Sequence, residues 1–170
     1  ERAAQKKGAV ETTEHNLPKA VKDARIVLLA LPVHQIRETL EFIAPDLMDG
    51  TVVVDTAPIK SEVAKWAKDI LPEGCYYVGL VPTIGPEFLN DTATGLDSAK
   101  ADLFSKSIFL VSAPPGAPGE AVELVSDLVK LMDATAMLTD IIESDGLMTS
   151  AHLLPQLVSA ALLNATVNQP

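Results

Sequence analysis

The chain has 170 residues, a formal net charge of −10 and 48% hydrophobic residues, few of them aromatic. This length suits one domain, or one domain followed by the start of another. The acidity argues against binding to nucleic acid and to anionic membranes, because both attract clustered Lys and Arg. The single cysteine, Cys75, excludes an intrachain disulfide and a cysteine-based zinc site, and it favours a reducing, cytoplasmic location.

The amino-terminal region predicts short elements. Residues 1–7 are polar and helix-prone, and Gly8 follows two lysines as expected for a glycine that ends a helix. Residues 9–12 predict a short strand, and residues 17–22 predict one or two helical turns. Because the first helix lacks a capping residue, we expect the chain to begin within a larger fold.

The strongest pattern in the chain covers residues 25–60. Residues 25–31 and 51–55 are apolar runs of the kind that form buried parallel strands. Pro32 ends the first run, and an amphipathic helix follows it. The apolar side chains of this helix recur at spacings of three and four: Val33, Ile36, Leu40, Ile43 and Leu47. Two such strands joined by a helix predict a parallel βαβ crossover.

Ligands of such a crossover gather at the carboxyl ends of its strands, which here are residues 31–34 and 55–60. Asp55 either braces the turn after the second strand or contacts a cofactor or substrate. Lys60 either meets an anionic substrate or is solvated. His34 is either a surface histidine at a helix start or a contact to a nicotinamide cofactor.

The remainder of the chain continues the alternation of helices and strands. Ser61 predicts the cap of a helix that runs to about Leu71, and Gly85 marks a rigid loop between two prolines. The other predicted elements are strands at 76–80, 108–112 and 134–138 and a helix at 120–132. The pattern predicts part of a nucleotide-binding α/β domain with a parallel βαβ crossover. The sequence contains no recognisable phosphate loop, metal-ligand spacing or Ser–His–acid set.

The carboxyl-terminal segment is unusually low in charge, because residues 146–170 contain no Asp, Glu, Lys or Arg. Polar residues interrupt the apolar ones, which argues against a membrane span. We expect a helix this uncharged to be buried all round at a domain or subunit interface, and further protein to follow it. Within it, His152 is a hydrogen-bonded core or interface residue, or an acid or hydrogen-bond donor in a substrate site.

Four segments, in order, resemble one known family. They are ARIVLLALPVHQI, GTVVVDTAPIKSEV, YYVGLVPTIGPE and SAHLLPQLVSAALLNA. They are similar to the segments ADLVILAVPV, VTDVGSVK, FVGGHPMAG and SHLPHLLAAAL of prephenate dehydrogenases. The resemblance covers nearly the whole chain. It implies an α/β fold with a Rossmann-like, doubly wound, mostly parallel sheet: a partial NAD(P)-binding domain over residues 1–139, without its first strand and glycine loop. Residues 140–170 would then form the first helix of an all-helical dimerisation domain.

The resemblance also implies an activity and its partners. These enzymes of tyrosine biosynthesis oxidise prephenate or arogenate by passing a hydride to NAD or NADP, with loss of carbon dioxide. The implied protein is a homodimer formed through the carboxyl-terminal helix, and its substrate is a prephenate-like small molecule.

Family positions carried over one at a time imply a candidate site. Its catalytic members are His152 and Lys60. Its substrate-binding members are Thr83, Gly85 and Gln156. Its cofactor-binding members are Leu31, Pro32, Val33, His34, Asp55, Thr56 and Ala57.

Three positions depart from the family pattern. Pro58 stands where the family has a serine, and Val81 stands where it has a histidine that hydrogen-bonds the substrate hydroxyl. His152 lies one residue early relative to Pro155. A catalytically silent or regulatory homologue is therefore one alternative. A related β-hydroxyacid-type dehydrogenase or deazaflavin-dependent reductase is another, because a shared fold does not determine function.

Overall fold

The computed structural model describes residues 2–92, 95 and 98–167. A five-stranded sheet lies at its centre, with the strands in the spatial order β1-β2-β3-β4-β5. The strands are β1 (Ile26–Leu29), β2 (Val52–Asp55), β3 (Tyr76–Val81), β4 (Ile108–Ser112) and β5 (Thr135–Thr139). β4 is antiparallel to β3, and the other three neighbouring pairs are parallel. The predicted α/β class with a mostly parallel, Rossmann-like sheet is confirmed.

Helices connect and follow the strands. They are α1 (Arg2–Lys6), α2 (Leu17–Val21), α3 (Val33–Ile43), α4 (Ser61–Ile70), α5 (Gly119–Leu131), α6 (Ile141–Met148) and α7 (Leu154–Val167). A π turn, Thr149–Leu153, joins α6 and α7 into one continuous helix. Short 3-10 turns follow α3 at Ala44–Asp46 and β3 at Pro86–Phe88.

The amino-terminal predictions are right for the helices and wrong for the strand. α1 and α2 form where expected, but residues 9–12 form no strand. The amide of Ala9 instead donates to the carbonyl of Ala4, over 3.0 Å, and so closes the end of α1. A strand needs a neighbouring strand for its backbone groups, and these four residues pair with none.

Helices cover both faces of the sheet, as a doubly wound fold requires. One face packs against α3 and α4, and Ile36, Leu40 and Ile43 of the predicted apolar stripe are buried there. The opposite face packs against α5. β1, β2 and β3 all end at one edge of the sheet, near Leu29 and Asp55, which we call the carboxyl edge.

The terminal helix differs from its prediction. No side chain of α7 is buried within the described chain, and Leu157 and Val167 are 68% and 71% exposed. The expectation that this helix is buried all round is therefore wrong for the chain by itself, because its apolar side chains face solvent. The continuous helix Ile141–Val167 is long and apolar enough to cross a membrane, a property that core helices of soluble proteins share. Burial against a second subunit stays a prediction, and residues 168–170 lie outside the described part.

Candidate functional site

The two turns predicted to face a ligand lie side by side at the carboxyl edge. Leu29 and Asp55 are opposite each other in the parallel register of β1 and β2. The amide of Thr56 donates to the carbonyl of Leu29 over 3.2 Å. Both turns therefore leave the sheet at the same level, where ligands of α/β sheets bind. Pro32, Val33 and His34 are exposed, Leu31 and Thr56 are half-buried, and Ala57 is buried.

Asp55 is completely buried and braces the turn that follows it. Its Oδ1 accepts a hydrogen bond from the amide of Ala57 over 2.7 Å. Its Oδ2 accepts one from the hydroxyl of Tyr77, on the neighbouring strand β3, over 2.6 Å. The bracing role that the sequence offered for Asp55 is confirmed. A direct contact of this completely buried carboxylate with a ligand stays a prediction.

Lys60 is also completely buried. Its Nζ donates to Asp55 Oδ1 over 2.9 Å, to the Asp55 carbonyl over 3.1 Å and to the Leu80 carbonyl over 2.9 Å. An ammonium group has three N–H donors, and all three are used here. Burial lowers the pKa of Lys60, and the charge of Asp55 opposes that shift. The interpretation of Lys60 as a solvated side chain is wrong, and its predicted catalytic role requires action from within the protein.

The lysine fits only because a glycine faces it. A Cβ atom at Gly79 would lie 2.7 Å from Lys60 Cδ, 2.9 Å from Ser112 Oγ and 3.0 Å from the Tyr77 hydroxyl. Real Cβ atoms do not approach other heavy atoms so closely, so a side chain at position 79 would displace the lysine. The sequence contains this glycine in the segment YYVGLV, where it reads only as part of a buried strand.

A carboxylate from α6 completes this cluster. Asp145 Oδ1 accepts from the backbone amide of Lys60 over 2.6 Å, and Oδ2 accepts from the backbone amide of Ser61 over 3.0 Å. The Ser61 hydroxyl also donates to Asp145 Oδ2. The prediction that Ser61 caps α4 is therefore wrong, because the capping acceptor is Asp145. A negative charge at this position also suits the positive end of the helix dipole.

The predicted site residues in the loop after β3 make contacts within the protein. Thr83 is exposed, and its hydroxyl donates to the carbonyl of Ile108 over 2.8 Å. Gly85 is buried, and a Cβ there would lie 2.5 Å from the carbonyl oxygen of Ser105. Val81, at the end of β3, is 4% exposed. The close backbone approach explains the glycine, and the substrate-binding roles of Thr83 and Gly85 stay predictions.

The two histidines predicted at the site are both exposed. His152 lies in the π turn between α6 and α7, and its Nε2 is 3.1 Å from Nε2 of Gln156. The expectation of a core histidine is wrong, whereas interface and substrate-site roles stay open. His34 lies at the start of α3 beside Gln35, with 3.5 Å between their Nε2 atoms. The π turn that contains His152 is a rare element, and such turns are found frequently at functional sites.

The carboxyl edge suits a ligand with apolar rings. Val33 and Ile59 are 42% and 37% exposed beside turns whose charges, on Asp55 and Lys60, point inward and are satisfied. The sequence contains no glycine-rich phosphate loop, and a contact of these turns with a dinucleotide stays a prediction. A groove of about 760 Å³ lies elsewhere, between α4 and the start of α6. Among the described residues, no group of three His, Cys, Asp or Glu side chains is placed to hold a metal ion.

Sequence comparison relates most of this chain to one family. Residues 1–138 match the family described as prephenate dehydrogenase, nucleotide-binding domain. The prephenate dehydrogenase of Bacillus subtilis (strain 168) is 27% identical over 165 residues, which are 96% of this chain and 43% of that protein. The prephenate dehydrogenase of Lactococcus lactis subsp. cremoris (strain MG1363) is 25% identical over the same shares. The chain thus spans less than half the length of these relatives.

Solved structures share the fold over almost the whole chain. The arogenate dehydrogenase of Synechocystis has a TM-score of 0.82 at 23% identity, covering 99% of this chain and 57% of that one. The prephenate dehydrogenase from A. aeolicus, in complex with hydroxyphenyl propionate and NAD+, has a TM-score of 0.83 at 17% identity, with the same coverage. At these identities the likeness establishes the fold alone.

Proposed function

Because the chain belongs to the prephenate dehydrogenase family, we propose that the protein is an NAD(P)-dependent oxidoreductase that oxidises prephenate or arogenate with loss of carbon dioxide. One observation carries the proposal: the nucleotide-binding domain of that family matches residues 1–138. A bound nicotinamide accepts the hydride, while the protein binds and orients both molecules. The proposed location is cytoplasmic, which the single cysteine supports.

The proposed cofactor site is the pair of turns at the carboxyl edge. Its proposed members are Leu31, Pro32, Val33, His34, Asp55, Thr56 and Ala57. The side-by-side register of β1 and β2 supports it, because both turns reach the same ligand-binding level. The exposed Val33 offers an apolar surface, while the buried Asp55 fixes the second turn by bonding the Ala57 amide. Either NAD or NADP suits these residues.

The proposed substrate contacts come from the loop after β3 and from the long helix. Thr83 and Gly85 lie in the loop, and His152 and Gln156 lie on the helix. The hydrogen-bond distance between His152 and Gln156 supports a fixed ring orientation for the histidine. The proposed homodimer forms through α7, whose exposed apolar side chains support an interface.

Turnover assays on the intact protein test this function. Prephenate and arogenate are each supplied with NAD and with NADP, and reduced nicotinamide is followed. We expect turnover with at least one pair, and His152→Ala should lower kcat/KM by about 100-fold or more if the histidine moves a proton. His15→Ala, which changes an exposed histidine in a polar loop, is the matched control and should leave turnover unchanged. Absence of turnover with all four pairs would contradict the proposal.

A catalytically silent homologue is the second candidate, and Val81 favours it. Valine neither donates nor accepts a proton, and it stands where the family has a histidine. Pro58 likewise lacks the hydroxyl of the family serine. The substitution Val81→His tests this candidate. If the candidate is right, the natural protein is inactive and the Val81→His variant turns over substrate. Robust turnover by the natural protein would exclude it.

A further inference from the structure

The proposed site has two halves that lie far apart in the chain. The cofactor half contains the turn after β2, at Asp55–Ala57, and the substrate half contains His152 on the helix after β5. A misplacement of about 1 Å between reacting groups can cost about 100-fold in rate, so hydride transfer requires these halves to be held together. A hydrogen-bonded cluster of the buried Asp55, Lys60 and Tyr77 with the half-buried Asp145 links the turn to the helix, and we call it the polar seam.

The first link of the seam joins two strands. The Lys60 ammonium donates both to Asp55, at the end of β2, and to the carbonyl of Leu80, near the end of β3. One side chain therefore fixes the cofactor-facing turn against the strand that leads to Val81. Because no N–H donor of the ammonium is left over, Lys60 holds this geometry without touching a ligand.

The second link joins this turn to the long helix. The carboxylate of Asp145 accepts from the amides of Lys60 and Ser61, directly after the cofactor-facing turn. Asp145 precedes His152 by seven positions on the continuous helix, which corresponds to a rise of about 10 Å. Because the helix is continuous over this distance, holding Asp145 in place also holds the segment that carries His152.

We propose that Lys60 and Asp145 are positioning residues that hold the His152 helix at a fixed distance from the cofactor-facing turn. This inference rests on the proposed function, because the distance matters for hydride transfer. The seam is placed for positioning rather than for proton transfer. Its lysine is enclosed, and its three acceptors are two backbone carbonyls and the carboxylate of Asp55.

The substitution Asp145→Asn in the intact protein tests the inference. Asparagine keeps the size and one acceptor oxygen but loses the second acceptor for Ser61. With prephenate deuterated at the carbon that carries the hydroxyl, we expect kcat to fall by about tenfold to 100-fold and the isotope effect on kcat to rise, because misalignment slows the hydride step. Glu143→Gln, an exposed carboxylate on the same helix, is the matched control and should change neither quantity. An unchanged isotope effect, with or without a lower kcat, would overturn the inference.

Hydrogen exchange separates this inference from the proposed function. If the parent protein turns over neither substrate, the proposed function fails and the seam is judged by amide exchange alone. Asp145→Asn should then speed exchange by at least about tenfold in both residues 56–62 and residues 141–153, since local opening limits protection. No joint change would overturn the inference. Should Asp145→Asn fail to fold, Ser61→Ala removes one donor of the same link and is read by the same criteria.

Discussion

The ammonium of Lys60 and the carboxylate of Asp55 form a completely buried ion pair, with 2.9 Å between Nζ and Oδ1. Each charge also has neutral partners: the lysine bonds two carbonyls, and the aspartate accepts from Ala57 and Tyr77. Burying a charge costs on the order of several kcal/mol in lost hydration. Hydrogen-bond partners such as these offset that cost because they replace the water. The pair therefore has hydrogen-bond partners on both charges, directly at the turn that follows β2.

Removing the lysine charge should strongly destabilise the protein. Lys60→Met keeps the length of the side chain but leaves Asp55 buried without its cation, so we expect a loss of about 3–5 kcal/mol in the free energy of unfolding. Urea unfolding measures this loss. Lys65→Met is the control, because the 68% exposed side chain of Lys65 pairs with Glu62 at the surface, where an ion pair contributes little to stability.

A second substitution should recover part of that loss. In the double variant Lys60→Met with Asp55→Asn, the uncompensated charge is gone, and the double variant should be more stable than Lys60→Met alone. Equal losses for Lys60→Met and Lys65→Met would contradict the role given to the buried pair.

Tyr77 should give the protein a characteristic alkaline pH dependence. Burial, followed by the charge of Asp55, raises the pKa of Tyr77 above its ordinary value. The unfolded chain therefore loses this proton near pH 10 while the folded chain retains it, so this contribution to stability is full below about pH 10 and is lost as pH rises. Tyr77→Phe should cost about 1.5–3 kcal/mol at neutral pH, because Asp55 loses a donor.

The comparison of wild type with Tyr77→Phe is made by urea unfolding from neutral to alkaline pH. The difference in stability between the two should shrink above pH ~10. Tyr76→Phe, on the neighbouring half-buried tyrosine, is the control for loss of a phenol hydroxyl from the same strand. A constant difference across the range would show that Tyr77 ionises alike in both states.

Lys60 should contribute a pH dependence of stability that is opposite in sign to that of Tyr77. Its pKa is lowered by burial, so between its folded pKa and the ordinary lysine value of about 10.4 the unfolded chain binds more protons, and stability rises with pH. Relative to Lys60→Met, the wild type should gain stability across this window. A decline of that difference with rising pH would contradict the lowered pKa.

Adding one methyl group at Gly79 should disturb the seam. Gly79→Ala places a Cβ 2.7 Å from Lys60 Cδ and 2.9 Å from Ser112 Oγ, so we expect a loss of about 1–3 kcal/mol from overpacking. Thermal unfolding compares it with Gly119→Ala, at the start of α5, where no heavy atom lies within 4 Å of the new Cβ. Equal melting temperatures for both variants would show that the lysine relaxes without cost.

Removing an unpartnered hydroxyl should be harmless or favourable. Ser144 on α6 is completely buried, and its Oγ has no hydrogen-bond partner among the described residues. Ser144→Ala removes that desolvation cost, whereas Ser107→Ala breaks a part-buried hydrogen bond to the carbonyl of Phe104 and should cost about 1 kcal/mol. Urea unfolding of both variants measures the contrast. A larger loss for Ser144→Ala than for Ser107→Ala would contradict it.

The βαβ crossover could be predicted because its signals are local. Apolar runs, the stripe around Ile36 and Leu40, and the turn-forming Asp55 all lie within residues 25–60. The prediction of a strand at residues 9–12 was wrong because a strand depends on a neighbouring strand, which a local pattern does not reveal. The exposure of α7 escaped prediction for the same reason, since composition does not say which surface covers a helix.

The seam could not be predicted, because its bonds cross long distances in the chain. Asp145 lies 85 residues from Lys60, and nothing in its local sequence marks it as the cap of α4. The burial of Lys60 could not be predicted because lysines in turns are commonly exposed. The side chain of Lys60 has room inside the protein because Gly79, opposite it, has no Cβ atom. The π turn that holds His152 was also unforeseen, although the extra residue before Pro155 was visible in the sequence.

Transfer of a labelled hydride from substrate to cofactor is the decisive measurement of the proposed activity. The intact protein is mixed with a nicotinamide cofactor and with prephenate or arogenate deuterated at the ring carbon that carries the hydroxyl, and the reduced cofactor is examined by mass spectrometry. We expect the deuterium to move to the nicotinamide and one carbon dioxide to be released for each reduced cofactor. Reduced cofactor without deuterium, or no reduced cofactor with either substrate, would contradict it.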